Sequence, residues 1–185
     1  MYQKNKTNDT ILATKKLKFI KGIETGSKVY QTTKSSGNVA YYRVGDMNSL
    51  SSQVYVDTSY LKQAESRIGD ILISFDGAPG RVGYTIEGCF SGSLRKIECR
   101  KMCISKGYIF FWSISDQIQQ CINEHSFGTT ILHASKSLNY LQIDEIINIS
   151  VNNELNYIYE LMINNVLKIK HLSLCKKYLL KKFFS

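Results

Sequence analysis

Residues 153–184 contain neither glycine nor proline. Those two residues cost a helix interior about 1 and about 3 kcal/mol relative to alanine, so their absence over this length predicts one continuous helix. Its seam alternates by three and four residues: Leu155, Ile158, Met162, Asn165, Ile169, Leu172, Lys176, Leu179 and Phe183. That is a heptad pattern, and its two polar members, Asn165 and Lys176, are of the kind that sets register and partner. At ~1.5 Å per residue the seam runs on the order of 40 Å, longer than a domain of this size needs for its own core. An amphipathic helix lying on its own domain is the alternative. The length favours an exposed arm that pairs with another helix.

The preceding residues read differently. After a polar start at residues 1–10, the chain alternates short apolar segments with Gly/Ser/Asn/Asp turns, which predicts a mixed, strand-rich domain. The expected strands are 39–44, 70–75, 81–86 and 94–99, and helical spacing of Ile109, Trp112, Ile114, Ile118 and Ile122 predicts one helix over 104–122. Two units follow, a domain at 1–149 and a helix at 150–185. The sharpest local feature is Gly69–Gly83, where the apolar run Ile71-Leu72-Ile73 enters a turn holding Asp76, Gly77, Pro79 (the only proline) and Gly80, and leaves through Arg81. Glycine is favoured where the backbone needs positive φ or close approach, so the corner glycines read as scaffold. Asp76 is expected to cap its own turn, with acceptance from a cytosine amino group as the functional alternative.

Charge narrows the partners. The net charge is +9, with 43% hydrophobic and 21% charged residues, values of a soluble globular protein. Residues 1–36 carry eight lysines against Asp9 and Glu24, and residues 150–185 carry six against Glu154 and Glu160. The middle carries ten cations against eleven anions. Basic ends around a balanced centre fit a polyanion binder gripped partly by its flanks; solubilising lysines are the plain alternative. No apolar run approaches the ~20 residues of a membrane span, and no secretory leader is visible, so no membrane role and a cytoplasmic location are expected. Five irregularly spaced cysteines fit a reducing compartment.

Motifs for chemistry fail in turn. Gly22-Ile23-Glu24-Thr25-Gly26-Ser27-Lys28 is one residue short of a phosphate loop, and its lysine is displaced. A DNA amino-methyltransferase needs an Asp/Asn-Pro-Pro-aromatic run, which one proline cannot supply. His125, His133 and His171 lie in no context for a nucleophilic triad. Cys99-x3-Cys103 with Cys121-x3-His125 has a zinc-like look. On a strand, residues four apart are separated by ~13 Å, so convergence would need a turn at Arg100-Lys101, and core packing is favoured.

Several segments, in order, carry a resemblance. They are Lys18-Phe19-Ile20-Lys21-Gly22, Tyr42-Arg43-Val44-Gly45-Asp46-Met47, the Gly69–Gly83 corner, Gly88 to Ile97, Gly128-Thr129-Thr130-Ile131-Leu132-His133-Ala134-Ser135-Lys136, and the helix end at 176–184. Together they resemble the target recognition domain of the specificity subunit of Type I restriction–modification systems. Two departures stand out: one recognition domain and one helix where a full subunit has two of each, and no proline in Leu141–Ile149, where family members usually have one.

The resemblance implies an α+β fold, a strand-rich recognition domain followed by one long coiled-coil helix. It implies a non-catalytic, sequence-specific DNA-binding subunit that reads one half-site of a bipartite double-stranded target. Implied partners are methyltransferase (modification) subunits, a restriction/translocase subunit, and a second copy joined through Leu155, Ile158, Met162, Asn165, Ile169, Leu172, Leu179 and Phe183. This chain would bind no cofactor or metal; S-adenosylmethionine, ATP and magnesium belong to the partners. Candidate DNA contacts are Lys28, Tyr30, Lys34, Arg43, Arg81, Arg95, Lys96 and Lys136, chosen because base readout needs Arg, Lys, Asn or Gln while phosphate grip accepts any lysine. The rival reading is a module that captures a modification subunit through its helix and reads no DNA.

Overall fold

The computed structural model describes residues 14–15, 17–24, 38–52, 54–98, 104–144 and 148–184. Two four-stranded sheets form its framework. One is antiparallel, in the order β2 (Lys18–Lys21), β10 (Leu94–Glu98), β6 (Leu72–Ser74), β8 (Val82–Gly83). The other runs β4 (Val54–Val56), β3 (Val39–Tyr42), β9 (Gly88–Phe90), β5 (Glu65–Ser66), with β3 and β9 parallel. Two short ribbons complete it: β1 (Thr14–Lys15) with β12 (Ile143–Asp144), and β7 (Asp76–Gly77) with β11 (Leu132–His133). A single helical turn, α1 (Leu61–Ala64), leads into β5. The mixed α+β expectation is met.

Strand β6 explains why the sheets and helices form one body. Its side chains alternate between faces. Leu72 packs into the cluster of Met47, Ile86, Phe90 and Leu94 that joins the two sheets. Ile73 and Phe75 point the other way, onto Ile118, Ile122 and Leu141, and Ile71 joins Ile109, Phe110 and Tyr159. A strand buried on both faces must read as an unbroken apolar run, as Ile71-Leu72-Ile73 does. Leu72, Ile73 and Phe75 are fully buried, so truncating any of them to alanine costs about 2–5 kcal/mol.

The single helix expected over 104–122 is two helices, α2 (Lys106–Ile114) and α3 (Asp116–Glu124). Ser115 breaks it, with extended backbone at φ −66°, ψ 149° and its hydroxyl donating to the Trp112 carbonyl at 2.8 Å. That local bond competes with the helical ladder. The bend lets α2 present Ile109 and Phe110 to one cluster while α3 turns Ile118 and Ile122 to another.

Helix α4 (Ile149–Phe184) starts on an asparagine cap, Asn148 Oδ1 accepting the Ser150 amide at 2.9 Å. Its first half docks on the domain. Asn152 Oδ1 accepts the Ser105 amide at 2.9 Å and Asn156 Oδ1 the Gly107 amide at 3.4 Å, so α4 satisfies donors at the α2 N-terminus that have no helical partner. Tyr159 is buried against Phe110 and Tyr84, with ring centroids 5.2 and 5.8 Å away, and its hydroxyl donates to the Gly69 carbonyl at 3.4 Å. Val166 is the last buried residue. Beyond it every residue through Phe184 is exposed except Lys170, which pairs with Glu87. The expected free arm is therefore only the second half of the helix. Of the seam, Leu155 and Met162 are half-buried, while Ile158, Asn165, Ile169, Leu172, Lys176, Leu179 and Phe183 are exposed. No helix among the described residues is long and apolar enough to cross a membrane.

Candidate nucleic-acid interface

The corner after β6 is braced from several sides. Gly77 and Gly80 both sit at φ +84°, in the left-handed region where a Cβ is strained. The Ser74 hydroxyl accepts the Arg81 amide at 3.0 Å and donates to the Ala78 carbonyl, while the Gly80 amide donates to the Ser74 carbonyl at 2.9 Å. From α3, the Gln119 side-chain amide donates to the Gly80 carbonyl at 2.9 Å and to the Ser113 carbonyl at 2.7 Å. One serine and one glutamine thus hold a loop that has almost no apolar side chains of its own.

Beyond this corner an open cleft of about 1010 Å³ lies between the C-terminal ends of β3 and β9 and the β7–β11 ribbon. Tyr41, Arg43, Asp76, Ser91, Ile131 and His133 are among its lining residues. Arg43 is a cation at its mouth, 57% exposed, with Nε 3.9 Å from Asp46. Asp46 also accepts the Arg43 amide at 2.9 Å, which anchors the arginine backbone while the side chain stays outward. Across the cleft Asp76 and His133 face each other on the paired strands, Asp76 Oδ1 to His133 Nδ1 at 2.7 Å. The expected turn-capping role of Asp76 is replaced by this cross-strand pair. Beside it, exposed Phe127 carries Lys136 over its ring at 5.1 Å, and Ile131 is 55% exposed. A guanidinium, a carboxylate–imidazole pair and apolar tips suit recognition of hydrogen-bonding edges and methyl groups.

The candidate contacts separate clearly. Arg43 lines the cleft and Lys136 stands on its flank. Arg81 is exposed at the exit of the corner and is not among the cleft's lining residues. Arg95 and Lys96, expected at the surface, point to opposite faces of β10 and both make internal contacts. Arg95 is 7% exposed, and its guanidinium donates to the Gly92 and Leu94 carbonyls and reaches Ser135 Oγ at 3.4 Å. Burial lowers its pKa, against the opposing pull of Asp76 and Glu24. Lys96 donates to the Glu65 carbonyl and lies 3.6 Å from Asp70. Lys28, Tyr30 and Lys34 lie outside the described residues, as do Cys99 and Cys103. His125 stacks on Tyr140 at 3.9 Å while its Nδ1 meets the Cys121 carbonyl at 2.8 Å. The Asp76–His133 pair was missed because its members stand 57 residues apart, and nothing in either local sequence pairs them.

The strand-rich domain thus carries a braced corner, an open cleft of mixed lining and a projecting helix. The sequence model of the Type I restriction modification DNA specificity domain matches residues 12–138, and the chain belongs to that family, a non-catalytic one. Among solved structures it is similar to the Type I restriction–modification S subunit from M. genitalium, at 16% identity and TM-score 0.53, covering 94% of this chain and 43% of that one. It is also similar to the HsdS subunit from Thermoanaerobacter tengcongensis, at 14% identity and TM-score 0.51, covering 84% and 37%. At these identities the likeness concerns the fold, and the chain spans less than half the length of either. A search of curated protein sequences gave no match.

Proposed function

We propose that this chain reads one half-site of an interrupted double-stranded DNA target through the cleft beside the corner, and directs partner subunits to it. The observation that carries the reading is that the family match over 12–138 contains the cleft, the corner and Arg43. Arg43 would take a guanine edge, for which a guanidinium fork is the common reader. Lys136 and the lysines of the two chain ends would hold phosphates. The chain supplies no reaction; S-adenosylmethionine, ATP and magnesium would act in the modification and restriction/translocase subunits, in the cytoplasm.

Two copies would pair through α4. Glu154 and Glu160 lie in its docked half, whereas Lys168, Lys170, Lys176, Lys177, Lys181 and Lys182 lie in its free half. Antiparallel pairing sets each lysine-rich half beside the partner's carboxylates, and parallel pairing sets like against like. The exposed Ile158 and Leu161 would be covered by the partner's free half, and Leu172 by its docked half. A two-fold dimer would read a symmetric, interrupted site.

The test is a gel shift of the chain against a random duplex library, with and without a modification subunit, followed by a salt titration. Selection of one recurrent half-site, with affinity falling steeply as salt rises, supports the reading. Capture of the modification subunit with no DNA selected would leave the helix-only interaction module instead.

A further inference from the structure

We propose that His133 is a base-reading residue of the cleft, its Nε2 accepting a hydrogen bond from the exocyclic amino group of adenine or cytosine. Asp76 is the positioning residue that fixes the tautomer. The inference rests on the reading of the cleft as a DNA surface. His133 Nδ1 lies 2.7 Å from Asp76 Oδ1. A carboxylate only accepts, so Nδ1 carries the proton, and in the neutral ring Nε2 keeps its lone pair. Among the described residues no hydrogen-bond partner holds Nε2. The side chain lines the cleft and is 47% exposed.

The imidazole is held from both sides. Pairing of β7 with β11 sets Asp76 opposite it. On the other side the His133 amide donates to the Phe127 carbonyl at 2.8 Å, the Phe127 amide donates back at 3.0 Å, and the two rings lie 5.9 Å apart. Of the surrounding charges, Lys136 sits over Phe127, buried Arg95 feels the Asp76 carboxylate, and Glu24 and Arg43 line the same cleft. The Arg43 guanidinium only donates and so matches the acceptors of guanine. Neutral Nε2 only accepts, and in the major groove adenine and cytosine alone present an amino group. Guanine and thymine carry a carbonyl oxygen there, whose lone pairs oppose that of Nε2, so a wrong base is repelled as well as unbonded.

The test uses the full chain and the half-site selected from the random duplex library, read by fluorescence anisotropy. Each adenine or cytosine of the half-site is replaced in turn by the analogue with hydrogen in place of the amino group. At one position the replacement should weaken the parent chain about tenfold, the size of one contact of roughly 1.4 kcal/mol. The same replacement should leave His133→Ala unchanged, and the base that responds identifies the amino group as adenine's or cytosine's. Asp76→Asn, whose amide pairs with either tautomer, should lose this discrimination and keep the parental salt slope. Proton–nitrogen correlation NMR of the free chain should show a neutral ring protonated at Nδ1, with the signals assigned by their loss in His133→Ala. Circular dichroism checks that the variants stay folded. A ring protonated at Nε2, no position that responds in the parent, or an undiminished response in His133→Ala overturns the inference and leaves DNA reading in place. A parent chain that selects no half-site removes DNA reading and this inference together.

Discussion

Gly107 in α2 and Asn156 in α4 meet backbone to backbone: a Cβ on Gly107 would lie 2.5 Å from the Asn156 Cα and 2.3 Å from the Leu155 carbonyl oxygen. This contact is what seats the long helix on the recognition domain. It places Asn152 and Asn156 at the α2 N-terminus and lets Tyr159 reach the Gly69 carbonyl.

Gly107→Ala should therefore lower stability although alanine is the better helix former. Overpacking of this kind costs about 1–3 kcal/mol, more than the roughly 1 kcal/mol that propensity returns. A thermal melt should show a fall in Tm. A Tm equal to or above the parent's would mean the two helices separate at no cost.

Asp70 gives stability a pH dependence. Burial pushes its pKa up, but the Lys106 hydrogen bond at 2.8 Å, the Arg67 amide, and the charges of Lys106 and Lys96 outweigh that and hold it below the ordinary value. A carboxylate with a depressed folded pKa stabilises above its unfolded pKa of about 3.9 and loses that contribution as pH falls through the lower folded value. Asp70→Asn should flatten the loss of stability below about pH 4. Urea midpoints measured from pH 6 to pH 2.5 check this, and parallel acid limbs in both proteins would contradict it.

The candidate DNA contacts should behave differently from one another. Arg43→Ala should cost about 1–3 kcal/mol on the selected half-site and relax preference at one base pair. Lys136→Ala should weaken all sequences alike and reduce the salt slope by about 1. Arg95→Met should act on folding, through the Gly92 and Leu94 carbonyls it abandons. Its expected cost is about 1–3 kcal/mol, the penalty of leaving buried acceptors unpaired. Fluorescence anisotropy beside urea unfolding separates these outcomes, and an Arg95→Met variant of parental stability would return that residue to the list of contacts.

Removing residues 167–185 should leave a folded domain, since Val166 is the last buried residue of α4. The truncated chain should sediment as a monomer where the full chain sediments as a dimer. Two monomers, or two dimers, would refute pairing through the free half of the helix.

Period and breaker residues made much of this protein legible in sequence. The long helix follows from a stretch without glycine or proline, the buried strand from Ile71-Leu72-Ile73, and the corner from glycines that adopt positive φ. These are local consequences of backbone sterics and hydrophobic spacing, and they need no knowledge of what lies opposite. Tertiary structure alone decided the rest. Which half of the helix is free depends on Gly107 admitting its backbone. Whether an arginine faces solvent or its own loop depends on which strand carries it and what covers that position, which buries Arg95 on β10 and leaves Arg43, just after β3, at the cleft. The Asp76–His133 pair exists because β7 and β11 come together across 57 residues. Such pairings are set by packing between distant segments, and no window of sequence contains both partners.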